Sequence, residues 1–190
     1  LIAPSLEREI RNELKERADE EAIRVFASNL RVLLMSPPIG HKAILAIDPG
    51  FRTGCKIVAL NTVGDPVGCA TIYPHEPKTD IQGAARTIRE FCTVYRIEVI
   101  AIGDGTAGRE TWNFIKDLDL SGSISLVSVP EQGASIYSAS ELARSELPGM
   151  DVTMRGAVSI GRRLLDPLAE MVKIEPRSIG VGQYQHDVDQ

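Results

Sequence analysis

The run Val99-Ile100-Ala101-Ile102-Gly103 is continuously apolar and lies between two segments of helical periodicity. A strand with no polar alternation must be covered on both faces, so it belongs in the middle of a sheet with helices packed above and below.

The neighbouring segments fill in the sheet. Before this run, the apolar stretches 43–48, 56–61 and 66–74 are separated by turn residues, with Gly64-Asp65 before the third, and they read as three consecutive strands. Thr79-Asp80-Ile81-Gln82 has the shape of a capping box, and Ile81, Ala84 or Ala85, Ile88 and Cys92 carry a helix to about residue 95. Residues 106–118 are helical in character, and 124–129 form a fifth strand. Ser138-Ala139-Ser140-Glu141 caps a short helix ending near Pro148. A strand meander followed by alternating helices and strands predicts an α/β fold with a mixed five-stranded sheet flanked by helices.

Upstream, Leu6, Ile10, Leu14, Ala18, Ala22, Phe26, Leu30 and Leu33 or Leu34 form one stripe of a long N-terminal amphipathic helix over about 5–35. Ser36-Pro37-Pro38-Ile39-Gly40 ends it, because proline lacks the backbone donor and restricts the residue before it. Three segments result: 1–40, 41–165 and 166–190. In the last, Asp166-Pro167 reads as an N-cap followed by proline in the first helical position, opening a helix to about Lys173.

Charge limits the function. The formal net charge of the 190 residues is −5 and no segment is a basic block, so binding nucleic acid by diffuse electrostatics is disfavoured and a local basic patch is required. No run approaches the roughly 18 apolar residues of a membrane span. Cys55, Cys69 and Cys92 are odd in number, have no CxxC spacing and sit in apolar segments, which predicts reduced core cysteines in a cytoplasmic protein. The chain does not begin with Met and reads as a piece of something longer.

In α/β sheets, ligands sit at the carboxyl ends of the strands, and Asp48, Asp104 and Glu131 fall there. Clustered carboxylates repel one another and call for a cation; two divalent metals bridged by one carboxylate are the usual arrangement for phosphodiester hydrolysis. Asp48 would be the bridge, with Glu131 as a further ligand. Each acid also has a structural reading, since Asp48-Pro49-Gly50 and Asp104-Gly105 are good turns and Glu131 can cap the segment after it.

The loop 48–54 carries Arg52 and Thr53 between glycines, suited to holding a phosphate or simply to a hairpin. Thr106 and Arg109 open a helix whose amino end attracts anions, with Thr106 as a plain N-cap the alternative. Arg155, Arg162 and Arg163 decorate the last long helix, either as a surface for nucleic acid or as solvated side chains. His41, His75 and His186 have no mutual zinc spacing.

The stretches AILAIDPGFRTGCKIVAL, TIYP, VIAIGDGTAGRET, EQGASIYSASELA and RGAVSIGRRLLDPLAEMVKIEPRSIGVGQYQHDV together resemble the Tex family of bacterial transcription accessory proteins. The resemblance implies that 41–165 is a YqgF-like domain with an RNase H-like fold related to Holliday-junction resolvases. It implies that 1–40 belongs to a central helical region, and that the tail begins a helix-hairpin-helix part. It maps the acids of resolvase-like relatives onto Asp48, Asp104 and Glu131. At the last helix, where active relatives carry another Asp ahead of a small-residue pair, this chain has Arg155-Gly156-Ala157, and Arg155 stands where an acid belongs.

The resulting expectation is a nucleic-acid-binding RNase H-like domain without nuclease activity. It would need no cofactor and would work with the transcription machinery in the cytoplasm, with Arg52, Thr53, Thr106, Arg109 and Arg155 as nucleic-acid contacts. Two alternatives stay open: a Mg- or Mn-dependent nuclease of the resolvase type, and a structural module within a larger protein. Actin-like phosphotransfer needs a second facing domain, and 190 residues hold one copy.

Overall fold

The computed structural model describes residues 2–120, 122–182, 184 and 187–188, with Ile2 by its backbone only. His186 lies outside the described residues.

The sheet consists of β1 (Ile44–Asp48), β2 (Cys55–Leu60), β3 (Pro66–Ile72), β4 (Val99–Gly103) and β5 (Ser125–Val129), in the order β3-β2-β1-β4-β5. β1 to β3 form an antiparallel meander, and β4 and β5 run parallel to β1, each following its own crossover. This is the mixed five-stranded sheet, flanked by helices, that the sequence predicts. Because β1, β4 and β5 are parallel, their carboxyl ends share one edge.

The faces divide by strand alternation. Leu45, Ile47, Ile57 and Ile100 pack beneath α2 (Ile81–Val94) and α3 (Gly108–Asp117) through Ile88 and Ile115. Ile44, Ala46, Val58 and Ala101 face α6 (Val152–Leu165) through Ala157, Val158 and Ile160. Each large aliphatic side chain buried this way contributes roughly 1.5–3 kcal/mol. β1 and β4 are buried along both faces, as the apolar run of β4 requires.

Between β5 and α6 lie α4 (Ala134–Ala139) and α5 (Glu141–Glu146), and α7 (Pro167–Met171) comes after α6. α1 (Ile2–Leu34) brings Leu30, Leu33 and Leu34 onto a separate cluster of Tyr137, Ala143, Met171, Ile174 and Ile179. The amino half of its stripe, Leu6, Ile10 and Leu14, is exposed. No described helix is long and apolar enough to cross a membrane.

Several local expectations are corrected. Asp80, not Thr79, caps α2 by accepting from the Gly83 amide at 2.9 Å; it stands immediately before Ile81, the first helical residue, so its carboxylate reaches the amide three residues on. α3 begins at Gly108 after Ala107 in the left-handed region (φ 65°), so Thr106 is not its N-cap. Ser140 caps α5, and α4 is an additional helix before it. Asp166 caps α7 through the Ala169 amide as expected, but α7 ends at Met171. Cys69 is exposed because β3 is an edge strand, so only Cys55 is a fully buried core cysteine.

Candidate functional site: an acidic cleft with a resident cation

Asp48 ends β1, and Glu131 lies two residues beyond β5. Both line one cleft of about 330 Å³ at the carboxyl edge, together with Thr53, Lys56, Thr153 and Gly156. The strand order therefore brings two of the three expected acids to a common space.

The third acid does different work. Asp104 is exposed and its Oδ1 accepts the backbone amide of Glu131 at 3.1 Å, bracing the turn after β5 rather than lining the cleft. The two glycines around it make room for Glu131. A Cβ on Gly105 would lie 1.6 Å from Glu131 Oε1, and one on Gly103 would lie 2.7 Å from Oε2. What reads in sequence as a turn or phosphate loop is the floor on which the Glu131 carboxylate rests.

Lys56 is the residue that sequence reasoning missed. It pairs with Asp48 across the antiparallel β1–β2 register, so both side chains rise on the same side of the sheet. It is only 8% exposed. Its ammonium donates to the carbonyls of Thr53 (2.9 Å) and Gly54 (2.8 Å) and to the Thr53 hydroxyl, which uses all three of its protons and staples the 49–54 loop. The available signal was a lysine at the start of an otherwise apolar strand.

The electrostatics arise from this arrangement. Burial pushes the Asp48 carboxyl above its ordinary range, and the Lys56 charge pulls it back down. Burial and then repulsion from Asp48 raise Glu131, with Asp104 adding to the rise; the Gly105 amide and Arg163 oppose it. Burial depresses Lys56, while Asp48, Cys55 and Asp151 favour its charge.

The remaining expected contacts sit around the cleft. Thr53 lines it. Arg52 is exposed in the loop after β1, and the Arg109 side chain is 87% exposed in the first turn of α3, 3.7 Å from Glu110. Thr106 is exposed between Asp104 and α3. Arg155 does not line the cleft. Its Nη1 reaches the Ser138 carbonyl at 3.4 Å, and the α6 residue against Asp48 is Gly156, whose added Cβ would lie 3.0 Å from Oδ2. Arg162 and Arg163 turn inward, so α6 forms no arginine surface. Arg162 bonds the Gly64 carbonyl (2.9 Å) and Glu146 (3.0 Å), and Arg163 is buried.

His75 supports the loop from below. Its Nε2 is 2.9 Å from the buried Thr111 hydroxyl, which in turn lies 3.6 Å from Cys55 Sγ, and its ring meets Phe51 edge-on at 5.7 Å.

These donors do not fit a two-metal centre. Among the described residues no three His, Cys, Asp or Glu side chains converge as metal ligands. Of the acids at the edge only Asp48 and Glu131 line the cleft, the α6 residue against Asp48 is a glycine, and a fixed ammonium shares the cleft with them.

Relatives carry a similar sequence within longer chains. The chain is 53% identical over its whole length to the uncharacterized protein YdcI of Bacillus subtilis, and 51% identical over its whole length to Protein tex of Bordetella pertussis; it spans 27% and 24% of those proteins. It thus represents about a quarter of their length. Among solved structures, RuvC of Thermus thermophilus matches 69% of this chain and 95% of its own, at 11% identity and a TM-score of 0.42. The family model described as the Tex protein YqgF-like domain matches residues 42–165. That match takes in the whole sheet, the acidic edge and α6, and by it the chain belongs to the family of Tex protein YqgF-like domains.

Proposed function

We propose that this chain is a nucleic-acid-binding domain of a Tex-type transcription accessory protein, and that it binds without hydrolysing. The observation that carries this reading is the pairing of Asp48 with Lys56 across β1 and β2. A buried ammonium beside the acid that would bridge two metals supplies positive charge to the cleft with no divalent ion, and it leaves too few carboxylates to position a pair of ions for in-line attack. Nucleic acid is held at the rim, where Arg52 after β1 and Arg109 after β4 extend from the same sheet edge and meet phosphates. Service with the transcription machinery in the cytoplasm, with neither Mg nor Mn required, is part of the same proposal.

The test uses fluorescence anisotropy with single-stranded RNA, single-stranded DNA and a branched DNA. Arg52→Ala with Arg109→Ala should lower affinity about tenfold with little sequence preference, and should reduce the salt slope by about 2. An unchanged affinity and slope sinks the assignment of the rim. Cleavage of any of these substrates in Mg or Mn that disappears in Asp48→Asn establishes the nuclease instead.

The exposed stripe Leu6, Ile10 and Leu14 favours a second reading, a module that docks other helices of a longer protein. It prevails if the chain binds none of the three nucleic acids at low salt.

A further inference from the structure

Arg163 is the most deeply buried cation of the fold, 5% exposed, on the face of α6 turned toward the β5–α4 turn. Its Nη1 donates to the carbonyl of Pro130, the residue immediately before Glu131. Its Nε and Nη2 have no hydrogen-bond partner although both are buried. The carboxylates within electrostatic reach are Glu170, Glu131 and Asp104. Glu170 exerts the largest of the three influences; it is itself buried, its Oε2 is bonded to Lys173 at 2.8 Å and its Oε1 has no hydrogen-bond partner.

A guanidinium with two buried nitrogens unpaired is costly to bury, and a helix-to-turn tether alone needs no charge. A glutamine or a hydroxyl would satisfy the Pro130 carbonyl. What the charge adds is a positive centre fixed to the residue before Glu131 and felt by its carboxylate. Lys56 does for Asp48 what Arg163 is placed to do for Glu131: each acid of the cleft has one internal cation carried by an adjoining element, β2 in one case and α6 in the other.

We propose that Arg163 is a positioning residue for Glu131: its grip on the Pro130 carbonyl fixes where the carboxylate stands, and its buried charge offsets that carboxylate, so that the cleft tolerates nearby phosphate. The proposal rests on the reading that nucleic acid approaches this cleft. A residue that merely packed α6 against the sheet would influence binding without reference to Glu131.

The experiment compares Arg163→Lys, Arg163→Met and Glu131→Gln in the 190-residue chain, singly and combined, with thermal unfolding as the check on folding. Single-stranded RNA affinity by anisotropy should fall about fivefold in Arg163→Met, because the Glu131 charge is then uncompensated, and stay within about twofold of wild type in Arg163→Lys. Adding Glu131→Gln to Arg163→Met should restore it, whereas removing a charge at exposed Asp117, at the far end of α3, should not. The backbone amide resonance of Glu131, bonded to Asp104, should move in Arg163→Met and hold its place in Arg163→Lys. If Arg163→Met does not fold, Arg163→Gln serves in the same comparison.

Equal losses in Arg163→Met with and without Glu131→Gln, or rescue by the Asp117 change, overturn the proposal. If wild type binds no nucleic acid, the functional reading fails by itself and the Glu131 amide resonance decides the positioning role: unmoved in Arg163→Met, it refutes it.

Discussion

The Asp104 side chain holds the backbone of Glu131: the Glu131 amide donates to Asp104 Oδ1 at 3.1 Å, while the Asp104 amide donates to the Val129 carbonyl at 3.0 Å. Two acids that a sequence reading assigns the same role are thus a brace and the residue it braces. Only Glu131 faces the cleft, and its carboxylate lies where Gly105 has no side chain.

That crowding makes Gly105→Ala a selective displacement of Glu131. The new Cβ meets the end of a flexible side chain 1.6 Å away, and Gly105 itself is exposed, so the carboxylate swings aside at a stability cost of about 1 kcal/mol or less. Calorimetric unfolding should show a shift of only a few degrees. Nucleic-acid affinity should change in Gly105→Ala as it does in Glu131→Ala, and the double variant should add nothing. Additive effects would mean that Gly105 serves binding through something other than Glu131.

Lys56→Met tests the staple. Methionine keeps the apolar stem and leaves two carbonyls and a hydroxyl without their donor. We expect a loss of about 1–3 kcal/mol in denaturant unfolding. Hydrogen exchange should accelerate across residues 50–54 while β1 and β4 stay protected. Because Lys56 is buried, raising the salt should not erase the difference, as it would for a surface pair. Uniform exchange across the sheet, or a salt-erased difference, would contradict the staple.

The architecture was readable because its strongest signals are local. The apolar β4 run, the prolines after α1 and the Asp166-Pro167 cap each carry their meaning in a few neighbouring residues. The acidic edge was readable because strand ends in a parallel arrangement converge by topology. What stayed hidden depends on register and packing. Lys56 faces Asp48 only once the hairpin pairing is fixed, and Gly156 rather than Arg155 meets Asp48 only once the rotation of α6 is known. Arg162 and Arg163 look like surface residues until α6 is seen to be enclosed by α4, α7 and the sheet.

The raised carboxyl of Asp48 has a thermodynamic sign. A group whose folded-state pKa lies above its unfolded value stabilises the fold below the unfolded value, and that contribution is lost as pH rises through the folded one. At neutral pH, then, ionised Asp48 is a burden on the fold. Asp48→Asn should gain about 1 kcal/mol at pH 7, as functional-site neutralisations commonly do. The gain should shrink on acidification and vanish below the ordinary value of 3.8. Thermal unfolding across pH 3 to 8 measures it, and a variant less stable than wild type at pH 7 would show that attraction to Lys56 outweighs burial.

α1 provides the last contrast, because one helix carries two kinds of apolar position. Leu14 is 57% exposed, so Leu14→Glu should change the stability of the chain by no more than about 0.5 kcal/mol. Leu30 packs against the cluster of Tyr137, Met171 and Ile174, and Leu30→Glu places a charge in that contact. It should detach the end of α1 at a cost of about 2 kcal/mol, seen as accelerated exchange in residues 26–34 and in α7, with the sheet unaffected. The stripe is continuous in sequence, but its amino half protrudes from the domain, and only its carboxyl half supports the layer that carries α4 and α7. Equal effects of the two substitutions would mean that the amino half of the stripe is also buried in solution, against another copy of the chain; a concentration-dependent unfolding midpoint would then accompany them.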